Sequence, residues 1–72
     1  MWFYDEYRAI LYNTDTGVSI DIRHFFTSHD EGYMVVMTNQ YGNDTTLMSS
    51  ESERKAKLYL GALADKVKAT AM

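Results

Sequence analysis

The hydrophobic period of this chain changes once, at Ser50, and that change limits the folds open to it. Before Ser50, apolar and polar residues alternate; after it, apolar residues recur at helical spacing. Ala56, Leu60, Leu63 and Val67 fall at i, i+4, i+7 and i+11, which makes one apolar stripe. Ser50-Glu51-Ser52-Glu53 fits a capping box, with Ser50 as N-cap and Glu53 reaching back from N3. Glu51 and Glu53 suit the positive end of a helix dipole, and Lys66 and Lys68 suit the negative end. The spacing predicts one helix over about 51–69.

Upstream, Val18, Ile20, Ile22 and Phe26 share one parity, and Ser19, Asp21, Arg23 and Phe25 share the other. That alternation is a half-buried strand over 18–26. Residues 7–12, 33–38 and 44–48 read as three more strands. Asn13 to Gly17 and Asn39 to Asn43 read as turns, because Asn and Asp bond their own backbone and glycine takes positive φ. Short polar turns between consecutive strands predict an antiparallel meander. The expected fold is α+β: four strands, then a C-terminal helix covering one face. The expected core is Val18, Ile20, Ile22, Leu47, Leu60, Leu63 and Val67.

The chain has 72 residues, which reads as one domain over 1–72. Below about 80 residues a single core rarely supplies more than ~3–5 kcal/mol of net stability. There is no cysteine, so neither a disulfide framework nor a thiolate metal site is open to it. Self-association is the remaining support. The helix offers a place for it, because Leu58 and Ala62 form a second stripe, and Gly61 and Ala64 are small enough to admit another backbone. A homodimer through Leu58, Gly61 and Ala62 is therefore expected.

The net charge of −3 weighs against wholesale neutralisation of a nucleic-acid backbone, which needs clustered Lys and Arg. Asp5 and Glu6 interrupt the apolar start, so no signal peptide is read there. No apolar run approaches the ~18 residues of a membrane span. Asn43-Asp44-Thr45 fits a glycosylation acceptor and is read as turn chemistry. A cytoplasmic protein without a membrane partner is expected.

Candidate chemistry is sparse. His24, His29, Asp30 and Glu31 are metal-capable types, but three of them occupy a loop that needs polar residues in any case. The serines at 49, 50 and 52 precede a helix and have no base at fixed spacing. No glycine pattern cradles a phosphate. No enzyme, metal, cofactor or small-molecule substrate is expected.

The aromatic residues carry more. On the outer face of a four-stranded sheet, Arg8 and Tyr12 would join Arg23 and Phe25, with Tyr41 at a turn nearby. Aromatics with arginines on an open sheet make a platform for single-stranded nucleic acid, where bases stack and guanidinium groups add charge. The same residue types anchor protein interfaces. They also make ordinary cross-strand pairs that stabilise the sheet. Trp2, Phe3 and Tyr4 read as an arm able to touch a protein partner.

The order of elements, with Gly17-Val18-Ser19-Ile20-Asp21-Ile22-Arg23-His24-Phe25-Phe26, Asp30-Glu31-Gly32-Tyr33-Met34 and Asp44-Thr45-Thr46-Leu47 followed by the amphipathic helix, resembles a known family. It is the single-stranded-DNA-binding domain of the transcriptional coactivator positive cofactor four and its bacterial and phage relatives. The resemblance runs over about 7–67 and implies a dimer that binds single strands. The family carries glycine and basic residues in the hairpin between its third and fourth strands. Here, Val35 to Asp44 contains no Lys or Arg. Two functions therefore stand as expectations. One is a non-enzymatic single-strand-binding dimer, in which Arg8 and Arg23 meet phosphate or bases and Phe25 and Tyr41 stack. The other is an acidic accessory or inhibitor protein of bacterial or phage origin that docks on a larger protein.

Overall fold

The computed structural model describes residues 1–72. It has six strands, β1 (Trp2–Asp5), β2 (Ile10–Asn13), β3 (Ser19–Phe26), β4 (Glu31–Thr38), β5 (Asp44–Ser50) and β6 (Thr70–Ala71). One helix, α1 (Glu53–Lys66), lies between β5 and β6. The strands form a single sheet in the order β5-β4-β3-β2-β1-β6, antiparallel except for the parallel β1–β6 pair.

The expected four-stranded meander is thus corrected to a six-stranded mixed sheet with one helix. Two segments account for the difference. Trp2-Phe3-Tyr4 is not a free arm. It is most of β1, paired with β2 at Phe3↔Tyr12 and Tyr4↔Leu11. Its aromatics alternate: Trp2 and Tyr4 pack on the core, and Phe3 turns to the other face. After the helix the chain returns to pair Thr70 with Phe3 and Ala71 with Tyr4, adding β6 to the edge.

The expected strand over 7–12 is shorter for a backbone reason. Ala9 adopts φ 54°, a left-handed conformation that interrupts an extended run. The Asp5 carboxylate accepts from the Arg8 backbone N–H at 3.1 Å, which fixes the turn before it. β2 therefore begins at Ile10. The two predicted polar turns form as read. Asn13 Oδ1 accepts from Asp15 and Thr16, Asn39 Oδ1 accepts from Tyr41 and Asn43, and Gly17 and Gly42 take positive φ.

The helix starts two residues later than the capping box suggests. Ser52, not Ser50, is the N-cap, and its hydroxyl accepts from Lys55 N–H at 3.3 Å. Ser50 ends β5, and its hydroxyl accepts from Ser52 N–H. The helix also ends earlier than residue 69. Lys68 turns left-handed at φ 55°, and the backbone N–H groups of Lys68 and Ala69 close on Asp65 and Ala64 carbonyls.

The helix covers one face of the sheet. Leu11, Val35, Ala56 and Leu60 are fully enclosed there, with Ala9, Ile20 and Ala64 around them. Of the expected core, Ile20 and Leu60 reach this centre. Val18, Ile22, Leu47, Leu63 and Val67 pack around it, half-buried. The deepest helical line is Ala56, Leu60 and Ala64, two alanines that let the helix settle close to the strands. A bulge between Val35 and Val36 leaves Leu47 without a partner, so both Leu47 and Met48 pack toward the core.

Candidate functional site on the uncovered sheet face

The strand register sorts the other face into rows. Phe3, Tyr12, Ser19, Thr38 and Asp44 lie side by side across five strands. The next row is Asp5, Ile10, Asp21, Val36 and Thr46. Beyond it, Arg23 sits opposite Met34, and Phe25 opposite Gly32. The single helix packs on the opposite face, so these residues have no covering element.

Arg23 dominates this surface. One guanidinium nitrogen lies 2.7 Å from Asp44 Oδ2, and the other donates to Thr38 Oγ1 at 3.1 Å. Nε lies 3.5 Å from Asp21 Oδ1. Thr38 in turn donates to Asp44 Oδ1 at 2.7 Å. Thr38 and Asp44 stand two rows away from Arg23, with the Val36 row between them. The arginine therefore runs along the face, and its methylene stem crosses the Val36 row. This explains why Val36 is buried on a face that has no helix. The Asp44 hydrogen bond, followed by the Asp21 and Asp44 charges, raises the Arg23 pKa above its ordinary value. The same bond, and then the Thr38 bond, holds the Asp44 carboxyl below the usual carboxylate range. Counted together, Asp21, Arg23 and Asp44 leave this cluster net negative.

Phe3 and Tyr12 stack beside the cluster, with ring centroids 5.6 Å apart and 24° between planes. The Tyr12 hydroxyl donates to Met72 Sδ at 3.1 Å. At the other end of the face, Phe25 lies over Gly32. A Cβ on Gly32 would come within 2.7 Å of Phe25 Cζ and 2.8 Å of the Ser50 carbonyl oxygen. Phe25 is thus folded down over a glycine and half-buried.

Of the five residues expected to form one site, the structure brings together two. Tyr12 and the Arg23 head group share one row at the end of the face nearest the Asn39–Asn43 turn, Tyr12 on β2 and the guanidinium at Thr38 and Asp44 on β4 and β5. Tyr41 projects from that turn, 79% exposed. Phe25 sits at the far end. Arg8 is not on this face: it belongs to the β1–β2 turn, pairs loosely with Asp5, and lines a small cleft with Ile22, His24 and Tyr33 on the helix side. Phe3 is the residue that the sequence reading placed elsewhere; its alternation with Trp2 and Tyr4 was the available signal.

His24 bonds Glu31 at 2.8 Å and stacks on Tyr33 at 4.8 Å. His29 and Asp30 belong to the following loop, where Asp30 and His29 backbone N–H groups donate to Thr27 Oγ1. The three helix residues expected at a dimer contact, Leu58, Gly61 and Ala62, line a groove of about 990 Å³ between the helix and the end of β1. Leu58 is 62% exposed there. The Tyr4 hydroxyl lies at the same groove, and burial, then the charges of Glu6 and Asp65, raise its pKa. No helix of the chain is long and apolar enough to cross a membrane.

No protein-family model, curated protein or solved structure matches this chain.

Proposed function

We propose that this chain is a non-enzymatic binding module that presents the uncovered face of its sheet to a protein partner. The observation that carries this reading is the state of Arg23. Its guanidinium already has two carboxylates and a hydroxyl as partners. To grip phosphate it would have to leave all three, and the phosphate would approach two aspartates. Single-strand binding through Arg8 and Arg23 together has less support, because Arg8 faces the helix side.

The face suits a protein partner instead. Phe3, Tyr12, Met34 and Ile10 offer half-buried apolar and aromatic surface, and tyrosine and phenylalanine are favoured at interface centres. Asp44, exposed at the start of edge strand β5, and Asp21 beside Arg23 leave that surface net negative, which suits a partner with basic groups beside an apolar patch. The expectation of an acidic accessory protein is the closer of the two to this surface.

The test is site-specific photocrosslinking in cells that make the protein naturally. A benzophenone side chain at Thr46, exposed on edge strand β5 in the same row as Val36 and Asp21, is expected to give one discrete adduct with a larger protein. The same group at Thr16, in the β2–β3 turn, is expected to give none. Equal labelling from both positions, or no adduct from Thr46, overturns the reading.

A further inference from the structure

We infer that the side of α1 bordering the groove beside β1 is a self-recognition surface that pairs two copies of this chain with their helices antiparallel. The inference is independent of the partner proposed for the open sheet face. It rests on four residues that fall on one line along the helix: Arg54, Leu58, Gly61 and Asp65, at i, i+4, i+7 and i+11. This line lies about 130° around the helix from the buried line of Ala56, Leu60 and Ala64 and borders the groove beside β1.

Two features of the line are incomplete within one chain. Arg54 and Asp65 take part in none of its ion pairs, and both are exposed. They stand about 16 Å apart along the axis, at a rise of about 1.5 Å per residue, too far to meet. Leu58 is a large apolar side chain left 62% exposed. Gly61 is a gap in the surface: a Cβ there would meet nothing nearer than the Tyr4 hydroxyl at 3.8 Å.

An antiparallel copy completes all of them at once. A two-fold axis between Tyr59 and Leu60 sets Arg54 against the partner's Asp65 and Leu58 against the partner's Gly61, and symmetry repeats both contacts. Each charge meets its opposite, and each leucine enters a glycine gap. A surface complementary to itself under a two-fold axis is what an isologous dimer requires. A parallel copy would instead place Arg54 on Arg54 and Asp65 on Asp65. The 14-residue helix is about 21 Å long, so the contact falls below the ~1,200 Å² of a standard interface and the dimer is a weak, reversible one.

The test is sedimentation equilibrium of the full chain from low micromolar to millimolar concentration. The expected result is a reversible shift from monomer to dimer mass within that range. Arg54→Asp and Asp65→Arg each place like charges across the pair, and each is expected to weaken dimerisation by at least ~10-fold. Both changes favour the helix dipole, so loss of the dimer would not report loss of the helix. The double variant, Arg54→Asp with Asp65→Arg, restores the opposite pairing and is expected to restore dimerisation. A parent that stays monomeric at millimolar concentration overturns the inference. So does a double variant that dimerises no better than the single ones.

Discussion

The two faces of the sheet are made by the same strands and differ in what holds their side chains in place. On the helix face, Leu11, Val35 and Leu60 are enclosed by other apolar groups, and no polar side chain is buried with them. On the open face, side chains cover one another: Arg23 crosses the Val36 row, Phe25 covers Gly32, and Phe3 stacks on Tyr12. The first face draws on the hydrophobic effect across a second layer. The second uses long side chains as a thin roof, under which Arg23 encloses one oxygen of Asp21. Stability is therefore concentrated on one face, and the other is left available for contact.

The largest expected effect lies on the helix face. Leu60→Ala should cost about 2–5 kcal/mol, enough to unfold much of so small a domain. Leu63→Ala, at a half-buried position, should cost less than Leu60→Ala. Urea denaturation of the two variants ranks them, and an equal or reversed order would misplace the core. The uncovered face gives a sharper test at Gly32. Gly32→Ala drives a methyl into Phe25 and the Ser50 carbonyl, and overpacking of this kind costs about 1–3 kcal/mol. Pairing it with Phe25→Ala should recover only part of the loss, because the backbone carbonyl remains. Full recovery would mean that the ring alone sets the limit.

Smaller effects separate the helix cap from its neighbour. Ser52→Ala should cost about 1 kcal/mol through loss of the Lys55 bond. Ser50→Ala leaves that bond in place and should cost less; a larger loss at Ser50 would return the cap to the capping-box position.

The smallest effect is one of pH. Asp44 is held below the ordinary carboxylate range by Arg23 and then Thr38. In the unfolded chain an aspartate titrates near ~3.9. Its contribution is thus fully present above that value and is lost as pH falls through the lower folded value. Asp44→Asn should flatten that part of the acid limb and leave stability near neutrality little more pH-dependent than before. Denaturation midpoints collected from about pH 5 down to about pH 2 check this. An unchanged acid limb would show that the Arg23–Asp44 bond is not maintained in solution.

Much of this architecture was legible in the sequence because it is local. The change of period at Ser50 marked the helix, and Asn13, Gly17, Asn39 and Gly42 marked two turns through chemistry confined to a few residues. The strands β3 and β4 showed their alternation because each has eight residues. What stayed hidden depends on distant pairing or on a single dihedral. β1 has four residues and β6 has two, too few to show a period, and they pair across almost the whole chain. The left-handed Ala9 broke a run that alternation alone made continuous, and so moved Arg8 off the face shared by Tyr12 and Arg23. The neutralisation of Arg23 was hidden for a similar reason: Asp44 is 21 residues away and reaches it only through the β3–β4–β5 register.

Arg23 already holds Asp21, Asp44 and Thr38, and the proposal that the open face receives protein rather than nucleic acid rests on that. Fluorescence anisotropy of a labelled single strand of about 20 nucleotides tests it most directly, because phosphate contacts give a salt-dependent affinity. No binding is expected at low salt with the parent protein. Micromolar binding that weakens as salt rises, and that disappears in Arg23→Ala, would contradict it.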